Sequence, residues 1–133
     1  MRKKTKILIV RSKYNDTIDL LNSATLALQK EKINFDIITV NGAFEIPVTI
    51  ARNIKKFDGF IALGIIMKGE TPNFTLISQA ITNGLMDISI SYKKPIGNAI
   101  LTCLNNKQAE ARNTKGKEAV SAVLNVLNAN KNY

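Results

Sequence analysis

Apolar residues follow two rhythms along this chain. Short unbroken runs alternate with longer stretches in which apolar positions recur every three or four residues. Ile7-Leu8-Ile9-Val10 predicts a strand over 6–10, apolar throughout, as when both faces of a sheet are covered. Asn15 and Asp16 offer caps for a helix running to about residue 32, with Ile18, Leu21, Ala24, Ala27 and Leu28 on one face. A second strand is expected over 35–40. After Gly42 a second helix is expected over 43–56, with Ile46, Ile50 and Ile54 one turn apart and Pro47 confined to the first turn. Residues 60–66 read as a third strand. Pro72 then opens a long helix to about residue 92, carrying Phe74, Ile77, Ile81, Leu85 and Ile88, and Lys93-Lys94-Pro95 stops it. A fourth strand over 98–103 precedes a last helix over 107–128 with Val120, Val123, Leu124 and Leu127 inward. The polar stretch from 125 to 133 is expected to fray.

Strand and helix alternating four times call for right-handed crossovers and a parallel sheet with helices on both faces. The expected fold is therefore α/β, a three-layer α/β/α flavodoxin-like arrangement of four parallel strands in a single domain over 1–133. Ligands in such sheets sit beyond the carboxyl ends of the strands, where strand order reverses. Tyr14, the Gly42 loop, the Gly69 loop and the residues after Cys103 fall at that edge.

Composition narrows the classes. The 133 residues are 45% hydrophobic and 22% charged, and no apolar run approaches the ~20 residues of a membrane span. The basic start is followed by too short an apolar run for a secretion signal, so a cytoplasmic protein with no membrane partner is expected. One cysteine, Cys103, permits no internal disulfide, and without any histidine a metal site is not expected. The net charge of +9 raises nucleic-acid binding. The lysines are scattered, however, and most pairs fall where helices end; no aromatic-interleaved basic segment accompanies them. No nucleic-acid partner is expected.

At the carboxyl edge, Tyr14 offers a flat face for stacking and Glu45 a hydroxyl acceptor. Thr71 and the amides around Gly69 suit an anion, with Arg112 and Lys115 as available cations. Each also has a plain structural reading: turn glycines at 42 and 69, Tyr14 packed on the first helix, Phe44 in the core, Glu45 favouring a helix start, Arg112 and Lys115 as solvated charges. Met67 and Met86 read as packing residues and Cys103 as a small buried one.

Three motifs occur in order: Gly42-Ala43-Phe44-Glu45-Ile46-Pro47; Ala62-Leu63-Gly64 leading through Lys68-Gly69-Glu70-Thr71-Pro72 to Phe74; and Gly97-Asn98-Ala99-Ile100-Leu101-Thr102 followed by Gln108-Ala109, Arg112 and Lys115-Gly116-Lys117-Glu118-Ala119. On these the sequence resembles the lumazine synthase family from about residue 6 to residue 127. The resemblance implies condensation of 5-amino-6-(D-ribitylamino)uracil with 3,4-dihydroxy-2-butanone 4-phosphate, without a cofactor. It implies substrate contacts from Tyr14, Ala43, Phe44, Glu45, Ile65, Ile66, Met67, Asn98 and Lys115, and phosphate contacts from Glu70, Thr71 and Arg112. It further implies a homo-oligomer, pentameric or a multiple, in which adjacent subunits share each site. Three features depart from the family. Asn73 stands where members usually carry a histidine that transfers protons, and amide nitrogen does not exchange a proton near neutral pH. Asn98 replaces an aromatic residue, and the segment from Arg112 to Lys115 is short. A slower enzyme is expected, with Asn73 a hydrogen-bonding group only. The alternative is a weakly active or non-catalytic member that binds ligand or forms a shell.

Overall fold

The computed structural model describes residues 4–70 and 72–129. Its elements run β1 (Lys6–Ser12), α1 (Ile18–Lys30), β2 (Asn34–Val40), a 3-10 turn (Ala43–Glu45) continuing into α2 (Ile46–Arg52), β3 (Gly59–Met67), α3 (Phe74–Tyr92), β4 (Ile96–Cys103), α4 (Asn106–Ala111) and α5 (Lys115–Asn128). All strand pairs are parallel, in the order β2-β1-β3-β4. The expected α/β/α flavodoxin-like architecture is therefore the one observed.

Strand β3 explains the arrangement. All nine of its residues are buried, which requires cover on both faces and a neighbour on both edges. Side chains alternate along a strand, so Ile61, Leu63, Ile65 and Met67 face one layer and Phe60, Ala62 and Ile66 the other. The first set joins Ile7, Ile9 and Leu101 against Leu20, Ala24 and Leu28 of α1 and Ala119, Val120 and Val123 of α5. The second joins Leu8 and Val10 against Ile46 and Ile50 of α2 and Ile81 and Leu85 of α3. Strand β2 lies at an edge, and its side chains are half-buried or exposed.

Several boundaries differ from expectation for local reasons. Helix α1 is capped at Thr17 rather than at Asn15 or Asp16. Asp16 Oδ1 still accepts from the Ile18 N–H at 2.9 Å. Its buried residues include Leu20, while Ile18 is exposed. The second helix ends at Arg52, not residue 56; Lys94 Nζ reaches across to donate to Ile54 O at 2.7 Å just beyond it. Helix α3 begins at Phe74 rather than Pro72, because Asn73 adopts left-handed backbone angles, φ 59° and ψ 40°. Asparagine tolerates that region better than most residues. The last helix is two helices, broken over 112–114. Met86 is exposed rather than packed.

The two helices of the first layer cross closely. A Cβ on Gly116, in the first turn of α5, would collide with Leu20 O and come within 3.1 Å of Ala24 N. Lys117 N–H also donates to Ser23 Oγ at 2.7 Å. Backbone on both sides leaves no side chain able to yield. Gly116→Ala should therefore cost about 1–3 kcal/mol through overpacking, read as a lower urea midpoint with an unchanged slope; an unaltered midpoint would contradict this crossing.

Candidate active site

Strand order places β2 on one side of β1 and β3 and β4 on the other. The order in which strands are added therefore reverses between β1 and β3, and the connections leaving their carboxyl ends diverge and open a crevice. A cleft of about 190 Å³ lies there, walled by Tyr14, Asn15, Gly42, Ala43, Phe44, Ile65 and Ile66, with Ile77 and Ile81 of α3 behind.

Its walls are tied together by backbone. Tyr14 N–H donates to Asn41 O at 2.8 Å and Lys13 N–H to Val40 O at 3.0 Å, so the loop after β1 is fixed to the turn after β2. The Tyr14 side chain is 71% exposed, leaving a ring face free for stacking. Glu45 folds back on its own turn, its Oε1 accepting from Gly42 N–H at 2.9 Å. Phe44 is exposed, not part of the core. It also lines, with Glu45, Pro47, Val48, Ala80 and Ile81, an apolar groove of about 450 Å³ between α2 and α3.

Ile65, Ile66 and Met67 end β3 with buried side chains. Ile65 and Ile66 wall the cleft and Met67 does not; the Ile66 side chain faces the α2 and α3 layer, while those of Ile65 and Met67 face the α1 and α5 layer. Asn15 is a wall residue that the sequence reading assigned only to helix capping. Its Nδ2 donates to Ile65 O at 3.0 Å, which locks the β1 loop onto the tip of β3. The signal was its position directly after Tyr14 at a strand end.

The remaining expected residues do not join these within one chain. Glu70 is exposed in the turn after β3, where Gly69 takes φ 95°. Thr71 lies outside the described residues. Asn73 caps α3 through its carbonyl, which accepts from Ile77 N–H at 2.9 Å; its side chain makes no capping bond. Arg112 lies at the tip of β4, with Nη1 donating to Thr102 O at 3.2 Å. Asn98 is exposed on β4 opposite Ala62, five residues before the Met67–Cys103 row and so about 16 Å down the strand. Its Oδ1 accepts from Ile100 N–H. Lys115 opens α5, pairing with Glu118 at 3.3 Å on the surface. Among the described residues, Glu45 lines the groove between α2 and α3, and Arg112 lines neither that groove nor the cleft.

The fold is that of a doubly wound α/β protein with a cleft at its topological switch, walled by an aromatic face, the end of β3 and a helix-opening turn. Comparison with known proteins gives the family. The sequence profile described as 6,7-dimethyl-8-ribityllumazine synthase matches residues 4–131. Curated proteins of that name from Agrobacterium fabrum and Bartonella tribocorum are 39% and 38% identical, over 96% and 100% of this chain and 96% and 95% of their own lengths. That from Bartonella bacilliformis is 42% identical over 84% of this chain and 78% of its own. The chain belongs to the 6,7-dimethyl-8-ribityllumazine synthase family.

Among the described residues no group of three or more histidine, cysteine, aspartate or glutamate side chains is placed to hold a metal, and no helix is long and apolar enough to cross a membrane. Burial pushes the Cys103 thiol up from its ordinary value; the adjacent Arg112 guanidinium offsets this only partly, through its charge and a hydrogen bond. A thiol that holds its proton longer when folded contributes stability below the unfolded-state pKa. That stability is lost as pH rises through the folded value. Wild type should therefore lose stability relative to Cys103→Ala as pH rises from 8 to 10.5, measured by urea unfolding; a constant difference would contradict the burial argument.

Proposed function

We propose that the protein condenses 5-amino-6-(D-ribitylamino)uracil with 3,4-dihydroxy-2-butanone 4-phosphate, giving 6,7-dimethyl-8-ribityllumazine with release of phosphate and water. The observation that carries this reading is the switch-point cleft in a chain of this family: an exposed Tyr14 ring beside the tips of β3 and the Ala43–Glu45 turn. The pyrimidine stacks on Tyr14, its edge meets the backbone of Ile65 and Ile66, and the ribityl hydroxyls hydrogen-bond to Glu45. The 5-amino group attacks the ketone to form an imine; phosphate elimination, ring closure and dehydration follow. The protein contributes alignment, which by itself supplies up to ~7–11 kcal/mol of the barrier, and charge stabilisation of the departing phosphate.

The phosphate cation is Arg112 from a second copy, with Glu70 and Thr71 beside the phosphate; that copy's Asn98 and Lys115 serve the ribitylaminouracil instead. Two observations support this division. Arg112 and Asn98 stand apart from the cleft within one chain, and the cleft's rim and the outer face of α3 expose apolar side chains: Phe44, Val48, Leu76, Met86 and Ile90. Burying such a face between subunits is favourable. The assembly is a pentamer or a multiple of one, working in the cytoplasm. Asn73 holds a hydrogen bond and transfers no proton.

Three measurements check this reading. Mixing both substrates with the purified protein should produce the lumazine chromophore above the uncatalysed background, and no excess would refute the activity. Asn73→His should raise kcat about tenfold or more by restoring a proton-transfer group; an unchanged kcat would show that proton transfer at this position does not limit turnover. Glu45→Ala and Arg112→Ala should each lose most activity alone, yet recover a substantial part when co-assembled, because some mixed interfaces then hold both intact halves. Absence of recovery would contradict a shared site.

A further inference from the structure

Among the described residues one buried side-chain polar atom has no hydrogen-bond partner, the hydroxyl of Ser12. Ser12 ends β1 and is 1% exposed. Its backbone is fixed from behind: Thr17 Oγ1 donates to Ser12 O at 2.6 Å and receives a bond from Arg11 Nε at 3.1 Å. By strand alternation its side chain lies on the face of Leu8 and Val10, under α2. A Cβ on Gly64 would meet Ser12 Oγ at 3.0 Å, and Ala43 Cβ and Ile46 Cδ1 at 3.4 Å each. The buried hydroxyl therefore lies beside Gly64 of β3, on the side of that strand from which the Ala43 turn and Ile46 also approach Gly64. Burying a hydroxyl unpaired costs free energy, and whichever later event pairs it is strengthened correspondingly.

The turn in front is able to supply the partner. Its fastening is the exposed bond from Gly42 N–H to Glu45 Oε1, and its leading amides precede the first helical hydrogen bond. We propose that Ser12 is a positioning residue for the ring-binding wall of the cleft. When a hydroxyl of the bound molecule draws the Glu45 carboxylate away from Gly42 N–H, the Gly42–Ala43 backbone settles onto Ser12 Oγ. The pairing fixes Ala43 against the ligand. Ser12 itself touches no substrate. The inference rests on the reading of the cleft as the pyrimidine and ribityl site.

Ser12→Ala removes the hydroxyl without adding bulk. The free variant should unfold at an unchanged or higher temperature, since it loses no bond. KM for the ribitylaminouracil, and Kd for a non-reacting ribityl-pyrimidine analogue, should rise about five- to tenfold, the share of one hydrogen bond. The kcat and the KM for the butanone phosphate should stay as in wild type. In a Glu45→Gln background the same substitution should change affinity less, because both act through one turn. A lowered unfolding temperature with unchanged affinity would overturn the proposal by making the hydroxyl a structural partner in the free protein. Unchanged affinity and stability would overturn it by making the hydroxyl inert. If wild type itself fails to bind the analogue, the functional reading falls and this inference with it; if wild type binds and Ser12→Ala binds equally, only this inference falls.

Discussion

Everything at the site depends on burying β3 completely. A strand with no exposed residue needs a partner on each edge and a helical layer on each face. In this chain β1 and β4 take the edges, α1 and α5 one face, and α2 and α3 the other. Once β3 has crossed to the far side of β1, the connections after β1 and β3 part company and a crevice at their carboxyl tips is unavoidable. The Asn15 amide on Ile65 O and the Tyr14 amide on Asn41 O then fix the crevice walls to one another. The place of binding thus follows from hydrophobic burial, and the chemistry is added by a few residues at the tips.

Those residues divide by how they are held. Tyr14, Ala43 and Ile66 sit on rigid strand ends or turns and make one continuous wall. Arg112, Lys115 and Asn98 are anchored elsewhere: Arg112 to Thr102 O beyond α4, Lys115 to Glu118 on α5, Asn98 to its own strand. Among the described residues the cleft is lined by Tyr14, Asn15, Gly42 and apolar side chains and by no cation. The shared-site proposal takes its physical content from this lining, since an anion is best held by a cation and none of the described residues that wall the cleft is one.

The sequence carried much of this and missed specific parts. Unbroken apolar runs located β1 and β3, and three-to-four spacing located α1, α3 and α5, because burial on two faces or one leaves those patterns. Helix ends were less legible. Pro72 looked like a helix start, but the left-handed angles of Asn73 move the start to Phe74, a backbone choice that no apolar spacing encodes. The break over 112–114 is marked by neither proline nor glycine. Tyr14 is legible from its place after a strand, whereas Ala43, Ile65 and Ile66 enter only through the family resemblance; the structure lines one cleft with all four. Asn15 was misread because an asparagine before a helix resembles a cap, and its actual partner, Ile65 O, is fifty residues away. The isolation of Ser12 Oγ depends on the packing of Gly64, Ala43 and Ile46 in three dimensions and has no sequence signature.

The most direct test of the account is a crystal structure of the protein with a ribityl-pyrimidine analogue and inorganic phosphate. The account predicts the ring stacked on Tyr14 beside Ile65 and Ile66, the ribityl chain at Glu45, and the phosphate on Arg112 contributed by a neighbouring copy. An analogue seated between α1 and α4, or a phosphate bound by Arg112 far from any other copy's cleft, would contradict it.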